Sequence, residues 1–321
     1  MDGQMFVQFQ IPALQKHPYP IVMIHGQGQS GTNFLSTPDG RAGWADFFLR
    51  QGYAVYVVDQ PLRGRSPYHS DIDGPISAPT ISYIEKRFTA PEKFGLWPQA
   101  KLHTQWPGAG VSGDPIFDQF YASQMPSSTD YVRMDELNRD AGLALLERIG
   151  PAIVLTHSRS GTFGWLLADA RPDLVKGIVA VEPNGPPFWD AVPSPAVFVR
   201  KWGITYLPLT FVPALKDPSE LAPAQEPAAD GPDLVRCWEP AKKVTLPKLQ
   251  DHPILILAGE ASYHSSYDHC TAKFLAAAGV KNDFVRLADR GIRGNGHMMM
   301  LEKNSGQIAQ FIAQWLGANV R

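Results

Sequence analysis

Cysteine is almost absent from this sequence, with two residues, Cys237 and Cys270, among 321. Two distant cysteines form neither a disulfide framework nor a Cys-x-x-Cys motif, and we expect two ordinary, partly buried thiols. A surplus of charge is also missing: the formal net charge is -2, and no block of lysine and arginine occurs. This balance excludes nucleic acid as an expected partner, because a phosphate backbone requires a basic surface.

Long apolar runs are missing as well. No stretch approaches the roughly 18 apolar residues that would cross a membrane. Residues 1–6 also lack the basic start and the apolar run of an export signal. The sequence therefore predicts a soluble, cytoplasmic protein. With 44% hydrophobic residues, the chain can bury one large core, and we predict a single domain over residues 1–321.

Cofactor-binding patterns have little support. The glycine-rich loop at 26–31 is not followed by the Gly-Lys-Ser/Thr of a phosphate loop, and its spacing is not that of a dinucleotide loop. A possible metal cluster has no partner cluster elsewhere, and two of its members are adjacent. Its residues are His264, Asp268, His269 and Cys270. We expect no metal and no cofactor.

Short apolar strands alternate with helical segments along most of the chain. This order predicts an α/β fold, with a mostly parallel, twisted sheet flanked by helices. The predicted strands cover 5–11 at a sheet edge, then 20–24, 53–59, 153–156, 175–182, 253–258 and 284–287. The predicted helices cover 44–51, 130–149, 267–278 and a last segment with an apolar face over 308–316.

Two regions rich in proline and aromatic residues interrupt this pattern. Residues 68–130 show no clear periodicity, and a structureless loop of that length is uncommon. We predict a folded, irregular excursion near the active site there. Residues 186–248 are poor in helix signals and rich in alanine and proline. We predict that they form a lid inserted between elements of the sheet.

An apolar run at 153–156 turns at Ser158 and continues into a helix-compatible segment. A serine on such a turn presents its hydroxyl above the sheet, beside a helix N-terminus that favours negative charge. The usual pattern is Gly-x-Ser-x-Gly, and here Thr156 and Ser160 stand at the glycine positions. This stretch alone allows two interpretations, a catalytic nucleophile or a serine that merely caps the helix.

Catalysis by serine requires a base and an acid that orients the base. His297 lies in a glycine-flanked loop between the last strand and the last helix, where the order serine, acid, histidine puts the base. Glu182 ends the strand after that of the serine, and we favour it as the acid because a strand end fixes a carboxylate well. Glu260 and Asp268, which follow the next strand, stay open as alternatives.

Two backbone N–H groups are predicted to form the oxyanion hole. One belongs to Gln27, with Gly28 as second choice, and the other to Arg159. We also assign Gly28, His157 and Trp189 to the substrate-binding site, with His157 packed beneath it. The Arg159 side chain is either a solvated arginine at the helix start or a contact for a substrate carboxylate.

Three segments carry a resemblance to a known family. They read TPDGRAGW at 37–44, GYAVYVVDQ at 52–60 with RGRS at 63–66, and GNGHMMM at 294–300. These segments resemble the α/β-hydrolase superfamily, and most of all its esterase 713-like branch. The resemblance implies an α/β-hydrolase fold over nearly the whole chain.

The same resemblance also bears on the site. It implies a glutamate acid at the end of the strand after the nucleophile, which strengthens Glu182. That branch has two adjacent cysteines where this sequence has Gln27 and Gly28, so the backbone donor is kept without any constraint from those cysteines. The resemblance also implies a chain that begins at the second strand of the fold. Residues 70–130 and 186–249 match poorly, so no substrate is implied.

Together these patterns predict a serine hydrolase, either a carboxylic ester hydrolase or a lactonase, that works through an acyl-enzyme. The aromatic residues of the predicted lid favour a medium-sized, largely apolar small molecule as the substrate. One alternative is an intracellular acyltransferase or cyclase with the same triad in a biosynthetic pathway. Another is a non-catalytic ligand-binding protein on the same scaffold. A homodimer stays an option.

Overall fold

The computed structural model describes residues 3–321, so the first two residues of the predicted domain lie outside the described part. A seven-stranded sheet runs through the molecule, in the spatial order β1-β3-β2-β4-β5-β6-β7. Its strands are β1 Phe6–Gln10, β2 Ile21–Ile24, β3 Val55–Asp59, β4 Ala152–His157, β5 Val175–Val181, β6 Ile254–Ala258 and β7 Asp283–Arg286. Only the edge strand β1 is antiparallel to its neighbour among these strands. The predicted mostly parallel sheet is therefore confirmed.

Six helices of at least eight residues flank this sheet in the described part of the chain. They are α1 Trp44–Gln51, α2 Pro115–Ala122, α3 Tyr131–Ile149, α4 Gly161–Ala170, α5 Asp268–Ala277 and α6 Ser305–Asn319. Their ends have local causes. The Asp130 side chain accepts the Arg133 N–H at 3.0 Å and caps α3. Gly52, with φ of 95°, ends α1 in the left-handed conformation.

The connections contain shorter elements. Short helical turns cover Thr32–Leu35, Ser70–Asp73, Ile81–Ile84, Glu85–Thr89, Pro91–Phe94, Pro98–Leu102, Ser158–Ser160, Pro218–Leu221, Pro247–Leu249, Tyr263–Ser266 and Leu287–Arg290. Short antiparallel strand pairs join Ile76–Ser77 to Ser127–Ser128, Trp189–Asp190 to Val197–Phe198, and Pro223–Gln225 to Trp238–Pro240. Both irregular regions of the sequence are thus built from small folded pieces.

The core lies on both faces of the sheet, because alternate strand residues point to opposite sides. On one face, β2 contributes Ile21 and Met23 to a cluster with α1, α2 and α6. On the other, it contributes Val22 and Ile24 to a cluster with α3, α4 and α5. Strands covered on both faces read as continuous apolar runs, which explains why the central strands could be recognised in the sequence. No helix within residues 3–321 has the length and apolar character needed to cross a membrane.

The two irregular regions lie on opposite faces of the sheet. Buried aromatic residues of 68–130, such as Phe88 and Trp97, belong to the α1 side. Buried apolar residues of 186–248, such as Phe188 and Ile204, belong to the α4 side. We call them the first wall (68–130) and the second wall (186–248), because both border the cavity described below.

The prediction of two ordinary, partly buried thiols is wrong. Cys237 of the second wall and Cys270 of α5 form a disulfide bond, and both are fully buried. They are 33 residues apart in sequence, and their Cα atoms are 5.2 Å apart. Their sequence spacing did not reveal this contact, because the fold brings them together by docking the second wall on α5. The bond therefore ties that wall to the sheet domain.

Candidate active site

Ser158 follows β4 directly and begins the turn that leads into α4. Its φ is +57°, a conformation that is uncommon for residues other than glycine and typical of a strained nucleophile turn. Ser160, which stands at the N-cap of α4, makes no capping hydrogen bond with its side chain. The strained backbone and the absent cap both favour the nucleophile interpretation over the helix-cap interpretation.

The residue at the second glycine position of the motif has a structural use. The Ser160 hydroxyl accepts the His157 N–H at 2.9 Å and donates to the Ile24 carbonyl at 2.7 Å, which ties the turn to β2. The need for a glycine falls one residue later. A Cβ atom at Gly161 would lie 2.6 Å from the Cβ of Pro183. The motif is therefore displaced rather than lost.

His297 and Glu182 lie together at the carboxyl edge of the sheet. Their Nδ1 and Oε2 atoms are 2.5 Å apart, and both side chains are buried. Glu182 also accepts the Gly259 N–H and the Ser262 hydroxyl, each at 2.7 Å. These contacts hold the carboxylate in one orientation toward the histidine, which is the arrangement that fixes the tautomer of a catalytic base.

Burial controls the protonation of this pair. It raises the pKa of Glu182 to about 7, and it lowers the pKa of His297 well below the usual value. The imidazole is therefore neutral at rest and able to accept a proton. A neutral base beside a developing alkoxide is what nucleophilic catalysis by serine requires.

The two alternative acids lie elsewhere. Glu260 pairs with Arg293 at 2.8 Å and accepts the Gly294 N–H at 2.8 Å, so it holds the start of the histidine loop. Asp268 pairs with His264, whose Nδ1 is 2.9 Å from the Asp268 Oδ1. The structure therefore brings Glu182, and neither Glu260 nor Asp268, to His297.

His264 and Asp268 form a second buried pair that sequence reasoning missed. The His264 ring stacks on the His297 ring, with centroids 4.7 Å apart and planes within 8° of each other. It also borders the same cavity as Ser158. Burial lowers the pKa of His264 to about 4, so this ring is neutral too. The sequence showed this His/Asp pair only as a cluster at the start of a helix.

The neighbouring histidines have positioning contacts. The His157 Nε2 lies 3.0 Å from the backbone carbonyl of His297, and the ring is buried beneath the site. The Nε2 of His25 accepts the Gln60 N–H at 3.1 Å, which leaves Nδ1 to donate to the Gly26 carbonyl at 2.9 Å. The His157 ring does not border the cavity, so its assignment to substrate binding is not supported, and its position corresponds to the expected packing beneath the site.

The predicted oxyanion loop passes directly beside the serine. A Cβ atom at Gly26 would lie 3.0 Å from the Ser158 Cβ, so glycine is required for this approach. Gln27 and Arg159 both border the cavity, and no hydrogen bond from their backbone N–H groups is found within residues 3–321. The Gly28 N–H is occupied, since it donates to the Ser127 hydroxyl at 2.9 Å. Gln27 is thus the better-placed of the two loop donors.

A buried arginine holds this loop from behind. The Arg63 guanidinium donates to the Gly26 carbonyl at 2.8 Å. Burial lowers the pKa of Arg63 to about 9. The sequence indicated only a charged turn after β3, and the long-range contact that gives this turn its use could not be read from spacing.

The Arg159 side chain is committed to the protein. It pairs with Asp135 at 3.0 Å and donates to the Thr162 hydroxyl at 2.7 Å. Its guanidinium lies over the rings of Tyr131 and Tyr206, at 4.8 and 4.4 Å. Asp135 already balances its charge. Neither alternative for this side chain is borne out, because it is 5% exposed and paired rather than solvated or free.

A cavity of about 430 Å³ opens in front of Ser158. Its lining includes Gly28, as predicted, together with tyrosine, serine, threonine and glutamine side chains from both walls. Trp189 does not border it, because this ring stacks on Trp238 with centroids 4.9 Å apart. The assignment of Trp189 to the cavity is therefore not supported, and the largely apolar substrate stays a prediction. The tyrosines that line it are Tyr83, Tyr131, Tyr206, Tyr263 and Tyr267.

Three groups of potential metal ligands occur among the described residues, and one of them, Glu226, Asp230 and Cys237, shares its cysteine with the second group below. Glu182, His264 and His297 have ligand atoms within 4.8 Å of one another, and so do Cys237, His269 and Cys270. The second group has no free thiolate, because its cysteines are disulfide-bonded. In the first, Glu182 and His297 are hydrogen-bonded to each other and His264 to Asp268. The expectation of no metal stays a prediction.

Comparisons with known proteins bear on the family and the fold of this chain. A family model described as the alpha/beta hydrolase family matches residues 21–311. A protein named probable secreted lipase phiG, from Fungal sp. (strain ATCC 74256), is 48% identical over 315 residues, which cover 97% of this chain and 85% of that protein. Among solved structures, a novel bacterial esterase superposes with a TM-score of 0.65 at 23% identity, covering 100% of this chain and 87% of that chain. The last of these supports the fold.

The expectation of a cytoplasmic protein is overturned by the fungal relative, which is named a secreted protein. The disulfide between Cys237 and Cys270 agrees with this correction, because such bonds persist in oxidising compartments. The sequence-based expectation depended on residues 1–6 and on a cysteine count. Neither of these revealed the bond that the fold forms.

Proposed function

Since the chain belongs to the alpha/beta hydrolase family, we propose that it hydrolyses a carboxylic ester, open or cyclic, through an acyl-enzyme on Ser158. The observation that carries this proposal is the contact of His297 with Glu182, at the same edge of the sheet as a serine in a strained turn. The relative named a lipase supports an ester as the substrate class.

The reaction begins with proton transfer. The Nε2 of His297 takes the proton of the Ser158 hydroxyl as its oxygen attacks the ester carbonyl carbon. The N–H groups of Gln27 and Arg159 stabilise the negative oxygen of the tetrahedral intermediate, and Glu182 stabilises the imidazolium. His297 then gives its proton to the leaving alcohol, and the acyl group remains on Ser158.

The second half releases the acid. His297 takes a proton from water as the water oxygen attacks the acyl-enzyme carbonyl, and it returns that proton to Ser158. In a lactone the alcohol stays attached to the acid, so one ring-opened hydroxy acid leaves. The first alternative, an acyltransferase or cyclase, was motivated by a closed lid and by an intracellular location, and the name of the fungal relative removes the second of these reasons. The contact of His297 with Glu182 favours a catalytic role over the non-catalytic alternative.

The test is intact-mass spectrometry after exposure to a fluorophosphonate probe, together with rates on a panel of p-nitrophenyl esters. We expect one adduct on the parent protein and none in S158A or H297A. S158A should lower kcat/KM by at least about 10³-fold. A folded parent protein that takes up no probe and cleaves no ester would contradict the proposal.

A matched pair of variants tests the identity of the acid. E182Q removes the charge that orients His297, and we expect kcat to fall by about 10²- to 10⁴-fold. E260Q makes the same change one strand away and keeps an oxygen that can accept the Gly294 N–H. It should leave kcat nearly unchanged. Equal losses in the two variants would contradict the assignment of Glu182.

A further inference from the structure

Arg87 differs from the other charged residues that line the cavity. No carboxylate lies within ion-pair distance of it in the described part of the chain. The other full charges of the wall are balanced inside the protein. Arg159 pairs with Asp135 at 3.0 Å, and Asp190 pairs with Arg200 at 2.6 Å. The lining of the cavity therefore carries one positive charge that no carboxylate of the described residues balances.

The local backbone explains how Arg87 reaches the cavity. It lies in the turn Glu85–Thr89, where the Ala90 N–H donates to the Glu85 carbonyl five residues back. Such wide π-helical turns are rare and frequently occur at functional sites. The next residue, Phe88, stacks on the His297 ring with centroids 5.2 Å apart. This single turn therefore contacts the catalytic histidine and presents a guanidinium to the cavity.

Two neutral contacts orient the Arg87 side chain. Its Nη2 donates to the Ser194 hydroxyl at 2.8 Å, and its guanidinium lies 4.5 Å from the centre of the Tyr83 ring. Neither contact supplies a negative charge. A guanidinium has five N–H donors, and a carboxylate can accept two of them at once. Arg87 is thus oriented between the two walls with donors to spare.

The charge acts on the reacting groups. The positive charge of Arg87 contributes to the lowered pKa of His297, and it opposes the rise that burial causes in the pKa of Tyr263. Arg87 is therefore within electrostatic range of the site where the ester would react. An anionic group on a bound substrate would find its counter-charge there.

We propose that the substrate carries a carboxylate in addition to the ester that reacts, and that Arg87 binds this carboxylate. The inference rests on the proposed ester hydrolysis and names its substrate class. The acidic group belongs either to the acyl part or to the alcohol part of the ester. In both cases the Arg87 guanidinium donates two charge-assisted hydrogen bonds to the substrate carboxylate, and a neutral ester lacks this contact.

The test uses two matched pairs of esters. In the first pair the acyl part changes charge: mono-p-nitrophenyl adipate is compared with p-nitrophenyl hexanoate. In the second the alcohol part changes charge: the hexanoyl ester of 4-hydroxybenzoate is compared with that of 4-hydroxybenzamide. For each pair the measured quantity is the ratio of kcat/KM for the anionic ester to kcat/KM for the neutral ester.

We expect R87Q to lower this ratio by about 10- to 100-fold in at least one pair, which is the effect of losing a hydrogen bond to a charged group. R87K should keep part of the ratio, because it keeps the charge without the planar fork. R148Q is the matched control. It makes the same change of net charge at an exposed site on α3 and should leave the ratio unchanged.

A ratio that is the same in R87Q and in the parent protein for both pairs would overturn the inference. The proposed function would survive that result, provided that the esters are cleaved. If the parent protein cleaves none of them and takes up no fluorophosphonate, the proposed function fails. Calorimetric titration of the same esters into the parent and R87Q then tests the carboxylate site alone. A preference for the anionic esters that R87Q loses supports the site, and equal binding overturns it.

Discussion

The two walls of the cavity are attached to the same sheet by different chemistry. The second wall (186–248) is held to α5 by the disulfide between Cys237 and Cys270. The first wall (68–130) has no cysteine, and a buried polar contact holds it in addition to its packed aromatic residues. His103 bridges Glu92 and Glu302 at 3.0 and 2.8 Å. A covalent bond therefore helps to hold the second wall, whereas a contact that requires protonated His103 helps to hold the first wall.

This difference shows how an irregular region can be fixed without regular secondary structure. Each wall contributes only short helical turns and short strand pairs, and such pieces are not stable alone. A small number of long-range contacts instead sets where they dock. The comparison predicts that the two walls respond to different solution conditions, the second wall to reductant and the first to pH.

The largest effect is expected from loss of the disulfide. C237A/C270A should lower the free energy of unfolding by about 2–4 kcal/mol, since the bond closes a loop of 33 residues. Urea unfolding followed by circular dichroism measures this change. Dithiothreitol should destabilise the parent protein similarly and should not affect the double variant. Limited proteolysis of the reduced protein should cut first within 186–248. Parent protein that is equally stable with and without reductant would break the comparison.

The next effect concerns the proton on the first wall. The two carboxylates beside His103 raise the pKa of this buried histidine to about 9, against about 6.5 in the unfolded chain. Since the folded pKa is the higher one, the stabilisation is fully present below pH 6.5 and is lost as the pH rises through 9. H103Q should therefore cost about 1–3 kcal/mol at pH 6 and much less at pH 9.5.

The control for this prediction is another histidine of the same wall. His69 is exposed, so H69Q should leave both the stability and its pH dependence as in the parent protein. Urea midpoints measured from pH 6 to 9.5 decide the matter. A constant difference between H103Q and the parent protein over that range would show that His103 acts through packing and not through its charge.

The smallest effect separates the walls by a single hydrogen bond. The Trp97 Nε1–H of the first wall donates to the Ala261 carbonyl at 2.9 Å, whereas the Trp189 Nε1–H of the second wall has no partner within residues 3–321. W97F should cost about 1 kcal/mol more than W189F, because only W97F leaves a buried carbonyl without its donor. Equal midpoints in urea would contradict this difference.

The elements that carry the triad could be predicted from the sequence because each has a local signal. The runs that became β4 and β5 are apolar and end directly before Ser158 and Glu182, and His297 lies in a glycine-flanked loop between β7 and α6. Ser158, Glu182 and His297 could therefore be proposed from their positions along the chain, and the structure brings Glu182 and His297 into contact. The displaced motif at Thr156 and Ser160 weakened the signal without removing it.

The contacts of the two walls could not be predicted, because they have no local signal in the sequence. The Cys237–Cys270 bond, the contacts of His103 and the stacking of His264 on His297 all join residues that are distant in sequence. No periodicity records such contacts. Trp189 was assigned to the cavity because aromatic residues are common in binding sites, but its partners are other aromatic rings. The residue type alone does not show whether a tryptophan lines a cavity or packs against other rings.

Glu302 gives the polar anchor of the first wall a consequence for protein engineering. Its buried Oε1 accepts the Gly296 N–H and contacts His103, and Gly296 directly precedes His297, the proposed base. Replacing the first wall to change substrate choice would remove His103, which is one of the two hydrogen-bond partners of the Glu302 Oε1. The other partner is the Gly296 N–H in the loop that carries His297. We therefore expect a change of the first wall to affect turnover as well as substrate range, because Glu302 contacts both that wall and the loop before His297. Chimeras that transplant this wall should carry His103 with it.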